Sequence, residues 1–222
     1  MLRHPLPKAL LFDFDGVLVE SVDIKTDAFR ELFHRHTAHI DQIINYHLRN
    51  MGTSRFDKFD HIFDKILQRP LNHAEKIRLG RRFADIVFRK VVACPAVKGA
   101  LPFLRKYFRQ CPLFVLSATP QKELERILKR RGIAQFFKMI FGFPTSKSSG
   151  IRIIKRQYGL RSQDLVFVGD TTADWKAARD QRIPFIGRCE QRNRSAFPNS
   201  IPQIKDLTQL EKRIRSSSLQ RN

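Results

Sequence analysis

A small set of acidic and polar residues carries the chemistry this sequence can do. The apolar run ALLFDF at residues 9–14 leads into Asp15, Gly16, Val17 and Leu18, so Asp13 and Asp15 stand at its end. Alternation along an extended strand puts both carboxylates on one side. Two acids that close oppose each other's ionisation, and one tends to hold a proton unless a cation is bound. Such a pair suits covalent catalysis, one carboxylate attacking and the other shuttling a proton. A turn alone does not call for an aspartate inside an apolar run, where it costs desolvation free energy. A second acidic pair, Asp170 and Asp174, follows the apolar run LVFV in Gly169-Asp170-Thr171-Thr172-Ala173-Asp174. Oxygen donors without His or Cys point to a hard cation, and Mg²⁺ is the usual partner of phosphoryl groups. Ser117 closes the run LFVLS just ahead of Thr119-Pro120. A hydroxyl beside a helix N-terminus can cradle phosphate, although a plain cap fits Ser117 as well. Lys147 enters a helix from the loop Gly142–Ser146, and its claim rests on position.

These residues need strands and helices to bring them together. Short apolar runs recur at residues 9–14, 113–117, 138–142, 165–169 and 184–187, mostly with helical patterns between them. Thr119 is expected to cap one helix that Gly132 closes; others are expected over 147–158, 173–181 and about 206–215. Strands alternating with helices give an α/β fold with a doubly wound parallel sheet. Residues 18–93 differ, reading as four helices with almost no strand signal. Phe56, Phe59, Phe63, Ile66 and Leu67 fall at helical spacing in one of them, and Asn72 is placed to cap the last. The expected organisation is a core of residues 1–17 and 95–222 with a small helical-bundle cap, residues 18–94, inserted in it. Trp175, Phe12, Phe14, Phe114 and Phe167 read as core filler.

The chain has 222 residues, enough for a full core, and no apolar stretch long enough to span a bilayer. Its start resembles no signal peptide, and the three cysteines, Cys94, Cys111 and Cys189, stand in no metal or redox spacing. Reduced thiols and a cytoplasmic location are the expectation. With 42 Lys+Arg against 21 Asp+Glu the net charge is +21, of which residues 17–94 contribute only +4. That field attracts anionic substrates and can hold nucleic acid through general charge, but the basic residues form no dense tract. A monomer or a dimer fits equally.

The motifs DFDGVL, Ser117, Lys147 and GDTTAD, in that order on alternating strands, resemble the signature of the haloacid dehalogenase-like hydrolases. An insert directly after the first motif, with Glu20-Ser21 behind it, is similar to the C1-capped branch of phosphoglycolate phosphatase and beta-phosphoglucomutase. The resemblance implies that Asp13 attacks phosphorus and forms an aspartyl phosphate. It implies that Asp15 is the general acid/base and meets the metal through its backbone carbonyl. Ser117 and the neighbouring amides, those of Gly16 and Ala118 among them, would bind phosphoryl oxygens, and Lys147 would neutralise charge. Asp13, Asp15, Asp170 and Asp174 would hold or support Mg²⁺. Dehalogenases of the family lack the second aspartate, so Asp15 argues for phosphoester chemistry.

Within the insert, Asn50-Met51-Gly52-Thr53-Ser54-Arg55 is the Gly-centred break between two helices. Gly52 would allow a turn there, with Arg55 and Lys58 able to meet an anionic or hydroxyl-rich leaving group; a simple turn capped by Ser54 fits equally. His34, His36 and His39 do not share one helical face and read as a solvated surface. The expected activity is Mg²⁺-dependent hydrolysis of a small phosphorylated metabolite, a sugar phosphate or short organic phosphate. A phosphomutase, or a basic phosphatase of nucleic-acid ends, remains the alternative.

Overall fold

A computed structural model of the chain describes residues 7–50, 53–189 and 197–216. The chain divides into two compact units, one of Met1–Glu20 with Cys94–Asn222 and one of Ser21–Ala93. The first boundary lies three residues beyond the expected end at residue 17. Backbone bonding explains the shift: Val19 bridges both Asp15 and Ala96, Val97 N–H donates to Leu18 O at 3.0 Å, and Glu20 N–H donates to Pro95 O at 3.0 Å.

The larger unit is an α/β layer structure. Its described strands are β1 (Ala9–Phe12), β2 (Leu113–Pro120), β3 (Met139–Phe143), β4 (Leu165–Gly169), β5 (Phe185–Arg188) and β6 (Gln203–Ile204). They form one sheet in the order β3-β2-β1-β4-β5-β6, all pairs parallel. Every residue of β1, β4 and β5 is buried, as expected of strands covered on both faces. Alternation sorts them. Ala9, Leu11, Phe114, Leu116, Leu165 and Phe167 pack with Ile151, Ile154, Ala177 and Ala178 of the helices α7 (Lys147–Tyr158) and α8 (Thr172–Asp180). From the other side of β1, Phe12 meets Phe103 of the helix α5 (Ala100–Tyr107) edge-on, ring centres 6.0 Å apart.

Two elements differ from the sequence reading. Strand β2 runs through Thr119 to Pro120, which pairs with Phe143 after a register irregularity. The helix α6 (Gln121–Arg130) therefore begins after Pro120, and Thr119 does not cap it. The two-residue strand β6, and the close of the tail at α9 (Leu210–Ile214), extend the sheet side where only a helix was expected.

The smaller unit is helical: α1 (Ile24–Leu32), α2 (Ile40–Arg49), α3 (Arg55–His61) and α4 (His73–Ala93). Ser54 caps α3 by accepting from Asp57 N–H at 3.2 Å, and Asn72 accepts from Glu75 N–H at 2.9 Å ahead of α4. The helix expected over 54–67 does not continue regularly. It widens into a π turn at Ile62–Ile66, with Leu67 N–H bonded to Ile62 O at 2.8 Å. The extra residue rotates the apolar face, so Ile62 and Phe63 are buried while Ile66 and Leu67 are only half-buried. Phe56 stays 38% exposed. The core is aromatic: Phe59 lies 6.0 Å from Phe29, 6.2 Å from Phe33 and 6.4 Å from Phe83, ring centre to ring centre. Phe59→Ala would leave a cavity among three rings and should lower stability by about 3–5 kcal/mol, measurable by urea denaturation.

Candidate active site

In an open parallel sheet, ligands gather at the carboxyl ends of strands where the winding direction reverses. Here that point lies between β1 and β4, and both supply acids to it. Asp13 follows β1, its N–H held by Val168 O at 2.9 Å, and Asp170 and Asp174 follow β4. One carboxylate oxygen from each of Asp13, Asp170 and Asp174 lies within 4.8 Å of the others. Gly169 makes the approach possible. A Cβ at that position would sit 2.7 Å from Asp174 Cγ, so only glycine lets the side chain fold back over the strand end.

Asp174 is fully buried and fixed twice. Its N–H donates to Thr171 Oγ1 at 3.3 Å, while its Oδ2 accepts from Thr171 N–H at 3.0 Å and Thr171 Oγ1 at 2.6 Å. This is a capping box at the start of α8. Lys147, the first residue of α7, joins the acids: its Nζ is 2.8 Å from Asp13 Oδ2 and is also hydrogen-bonded to Asp174 Oδ1. Asp13 Oδ1 accepts from Phe14 N–H at 2.6 Å.

Electrostatics follow from this crowding. Burial raises the Asp13 carboxyl well above the ordinary range, as do Asp174 and Asp170, while Lys147 pulls it back. Burial and then Asp174 push Asp170 up to about 7. For Lys147 burial opposes the charge, but Asp13 and Asp174 outweigh it and raise the ammonium above its usual value. Three carboxylates facing one ammonium leave two negative charges uncompensated. Asp170 Oδ1 is buried without a hydrogen-bond partner. An all-oxygen donor set with an orphaned carboxylate oxygen and a surplus of two negative charges fits a hard divalent cation.

Asp15 stands apart from that group. Its carboxylate is outside the three-acid cluster, and its Oδ2 accepts from Thr119 Oγ1 at 3.0 Å. Ser117 is 1% exposed at the end of the buried part of β2, its Oγ accepting from Thr119 N–H at 3.0 Å, and Ala118 beside it is exposed. Gly16 follows Asp15 in the left-handed region, φ 69°, which turns the chain back so that its N–H reaches Val19 O at 2.9 Å.

A family model for haloacid dehalogenase-like hydrolases matches residues 10–188. The chain belongs to that family. The hydrolase is 25% identical over 184 residues to phosphoglycolate phosphatase of Synechococcus elongatus, covering 78% of this chain and 79% of that protein. It is 24% identical over 199 residues to phosphoglycolate phosphatase of Rhodobacter capsulatus, covering 80% and 82%. Among solved structures, the magnesium-bound HAD-hydrolase YfnB of Bacillus subtilis aligns with a TM-score of 0.72 at 17% identity, over 96% of this chain and all of that one. These matches agree with the fold and the family read from the four motifs.

Of the site residues expected in the hydrolase, Asp13, Lys147, Asp170 and Asp174 are brought into direct contact or within one cluster, and Asp15 and Ser117 meet through Thr119. Those expected in the helical unit fare differently. Gly52, with Met51, lies outside the described residues. Arg55 is half-buried at the start of α3, its guanidinium 5.4 Å from the Phe83 ring centre. Lys58 is 2% exposed, with its Nζ 3.1 Å from His47 Nδ1, so it is no surface charge.

The sequence reading passed over three supporting residues. Thr171 was visible in principle, since Thr171-x-x-Asp174 before a helix is the pattern of a capping box. Thr119 was taken for a helix cap. Arg188, at the end of β5, carried no signal in so basic a chain. It is 6% exposed and its Nη1 donates to Gly16 O at 2.8 Å. Its two Nη atoms also pair with the two carboxylate oxygens of Glu20, each at 2.8 Å. Arg188 thus clasps both ends of the turn that follows Asp15. Arg188→Met should lower stability by about 2–3 kcal/mol, because Glu20 keeps part of its side chain in water and is not fully stranded. A cycle with Glu20→Gln, followed by chemical denaturation, should give a coupling of about 1–2 kcal/mol.

Proposed function

We propose that the hydrolase cleaves a small phosphorylated metabolite, a sugar phosphate or short organic phosphate, through a phosphorylated Asp13. The observation that carries this reading is the Asp13 carboxylate oxygen held 2.8 Å from Lys147 Nζ, inside a buried cluster whose surplus charge suits a divalent cation. In this reading Asp13, Asp170 and Asp174 would hold or support Mg²⁺, which supplies positive charge to the phosphoryl oxygens and the attacking carboxylate.

The protein's residues divide the remaining work. An Asp13 oxygen forms the new bond to phosphorus as the bond from phosphorus to the leaving oxygen breaks. Asp15 gives its proton to that leaving oxygen, so an alcohol departs. Water then attacks the phosphorus of the aspartyl phosphate, Asp15 takes back a proton, and phosphate leaves with Asp13 restored. The hydrogen bond from Thr119 fixes one oxygen of Asp15 and leaves the other for the proton. Ser117, and the amide N–H groups near Ala118 and Gly16, are assigned to the phosphoryl oxygens. Lys147 offsets charge on Asp13 and on the transferring group. Phosphoryl transfer asks chiefly for such positioning and charge neutralisation. The relatives named phosphoglycolate phosphatase support a short organic phosphate as substrate. The helical unit is assigned the part of a cap that selects it.

Phosphate release from a panel of phosphorylated metabolites, with purified protein and Mg²⁺, tests the reading. Asp13→Asn should abolish turnover while leaving thermal unfolding unchanged, since an amide is a poor nucleophile. Asp15→Asn should slow turnover about 10²–10⁴-fold through loss of proton transfer. Near wild-type release by the Asp13→Asn protein would refute the mechanism. EDTA should abolish activity and Mg²⁺ should restore it, whereas Ca²⁺, with a larger and looser coordination shell, should not.

A further inference from the structure

The helical unit buries positive charge without an answering acid. Lys58 on α3 and His47 on α2 are each 2% exposed. Lys58 Nζ lies 3.1 Å from His47 Nδ1 and 3.5 Å from His47 O, and its charge sits 5.6 Å from the centre of the Phe29 ring. The same ring lies 4.4 Å from the imidazole centre. Lys25 on α1 adds a second ammonium whose charge reaches both groups. Among the described residues no carboxylate is paired with Lys58.

The hydrogen bonding is incomplete in one sense only. As an ammonium Lys58 can only donate, so His47 Nδ1 accepts and the ring proton sits on Nε2. His47 Nε2 is buried with no hydrogen-bond partner. What is missing is therefore an acceptor. Beside two ammonium groups, with no acid to offset them, the acceptor that fits best is negatively charged. Burial, and then the neighbouring ammonium of Lys25, hold Lys58 down to about 8. Burial, then Lys58, hold His47 down to about 4. Both directions are those of cationic groups lacking a counter-ion.

We propose that Lys25, His47 and Lys58 form an oxyanion-binding site in the helical unit, taking a carboxylate or phosphate group. The inference goes beyond the proposed hydrolysis and does not require it, since it concerns what binds and not what reacts. The oxyanion is either free inorganic phosphate or an anionic group carried by an organic phosphate in addition to the one hydrolysed.

Side-chain NMR of His47, assigned with His47→Gln, reads the site locally. Inorganic phosphate, added without Mg²⁺, should shift the His47 ring resonances saturably. Lys58→Met should weaken that response about tenfold or more without lowering thermal stability, because it removes a buried charge that has no partner in the protein. Lys25→Gln, at a half-buried position, should weaken it less and serves if Lys58→Met misfolds. No shift, or the same titration in Lys58→Met and Lys25→Gln, would overturn the proposal. Kinetics separate the two sources. If the anion belongs to the substrate, Lys58→Met should lower kcat/KM for 2-phosphoglycolate about 10–100-fold and for monoethyl phosphate less than about threefold. If free phosphate is the ligand, the two substrates change together while the NMR response still depends on Lys58. A protein that hydrolyses neither compound refutes the phosphatase reading and leaves the NMR result to decide the site.

Discussion

The ammonium of Lys147 shared between Asp13 and Asp174 is the interaction on which the rest of the core is built. Three carboxylates within 4.8 Å of one another in a dry site repel strongly, because the medium that would screen them is largely absent. Every nearby element serves to hold them there. Strands β1 and β4 pair directly, which sets Asp13 and Asp170 on adjacent strand ends. Gly169 yields room for Asp174, and the Thr171 capping box fixes it. Helix α7 begins at Lys147 itself, capped by Ser146 accepting from Ser149 N–H at 3.1 Å, so the ammonium is aimed by a rigid helix start.

Asp15 shows the complementary arrangement. An acid that exchanges a proton should not share the strong field that keeps a nucleophile and a cation in place, and its carboxylate is held by a neutral hydroxyl instead. Its backbone position depends on the left-handed turn at Gly16 and on Arg188, which binds the carbonyl of that turn and the Glu20 carboxylate beyond it. Two carboxylates separated by one residue thus receive different surroundings, one ionic and one hydrogen-bonded through a hydroxyl. That difference lets a pair of like side chains take unlike roles.

How much of this was legible in the sequence follows from the range of each interaction. The strands were legible as apolar runs because a parallel sheet buries both faces. Asp13 stood out because an acid within such a run is costly unless it has a task. Helices α7 and α8 were readable within a residue from Lys147 to Gly159 and around Ala173. What escaped depends on partners remote in the chain. Thr119 looked like a cap because its true partner, Asp15, is 104 residues away. Arg188 finds Glu20 across 168 residues. The π turn at Ile62–Ile66 changes which apolar residues face inward without altering their spacing in sequence. Lys58 reads as a solvated charge on α3, and only the packing of α1 and α2 against it reveals that it is buried.

Net charge and local charge act at different ranges here, and the contrast bears on how ligands would be drawn in. The chain carries +21 overall, yet the most crowded charges of its core are negative. Surface Lys and Arg act through water, where screening limits them to roughly 8 Å at physiological salt. They raise the concentration of any anion nearby and discriminate poorly among anions. The buried acids act over one or two bond lengths of separation, in a medium that screens little, and they select by sign, size and donor type. The helical unit repeats the logic with the opposite sign, since Lys58 and the orphaned His47 Nε2 are buried donors without an acceptor. Neither unit satisfies its buried charge with its own side chains. A folded protein tolerates such a deficit where binding removes it, so the incomplete pairing in each unit points to a ligand of the missing sign rather than to an error of packing.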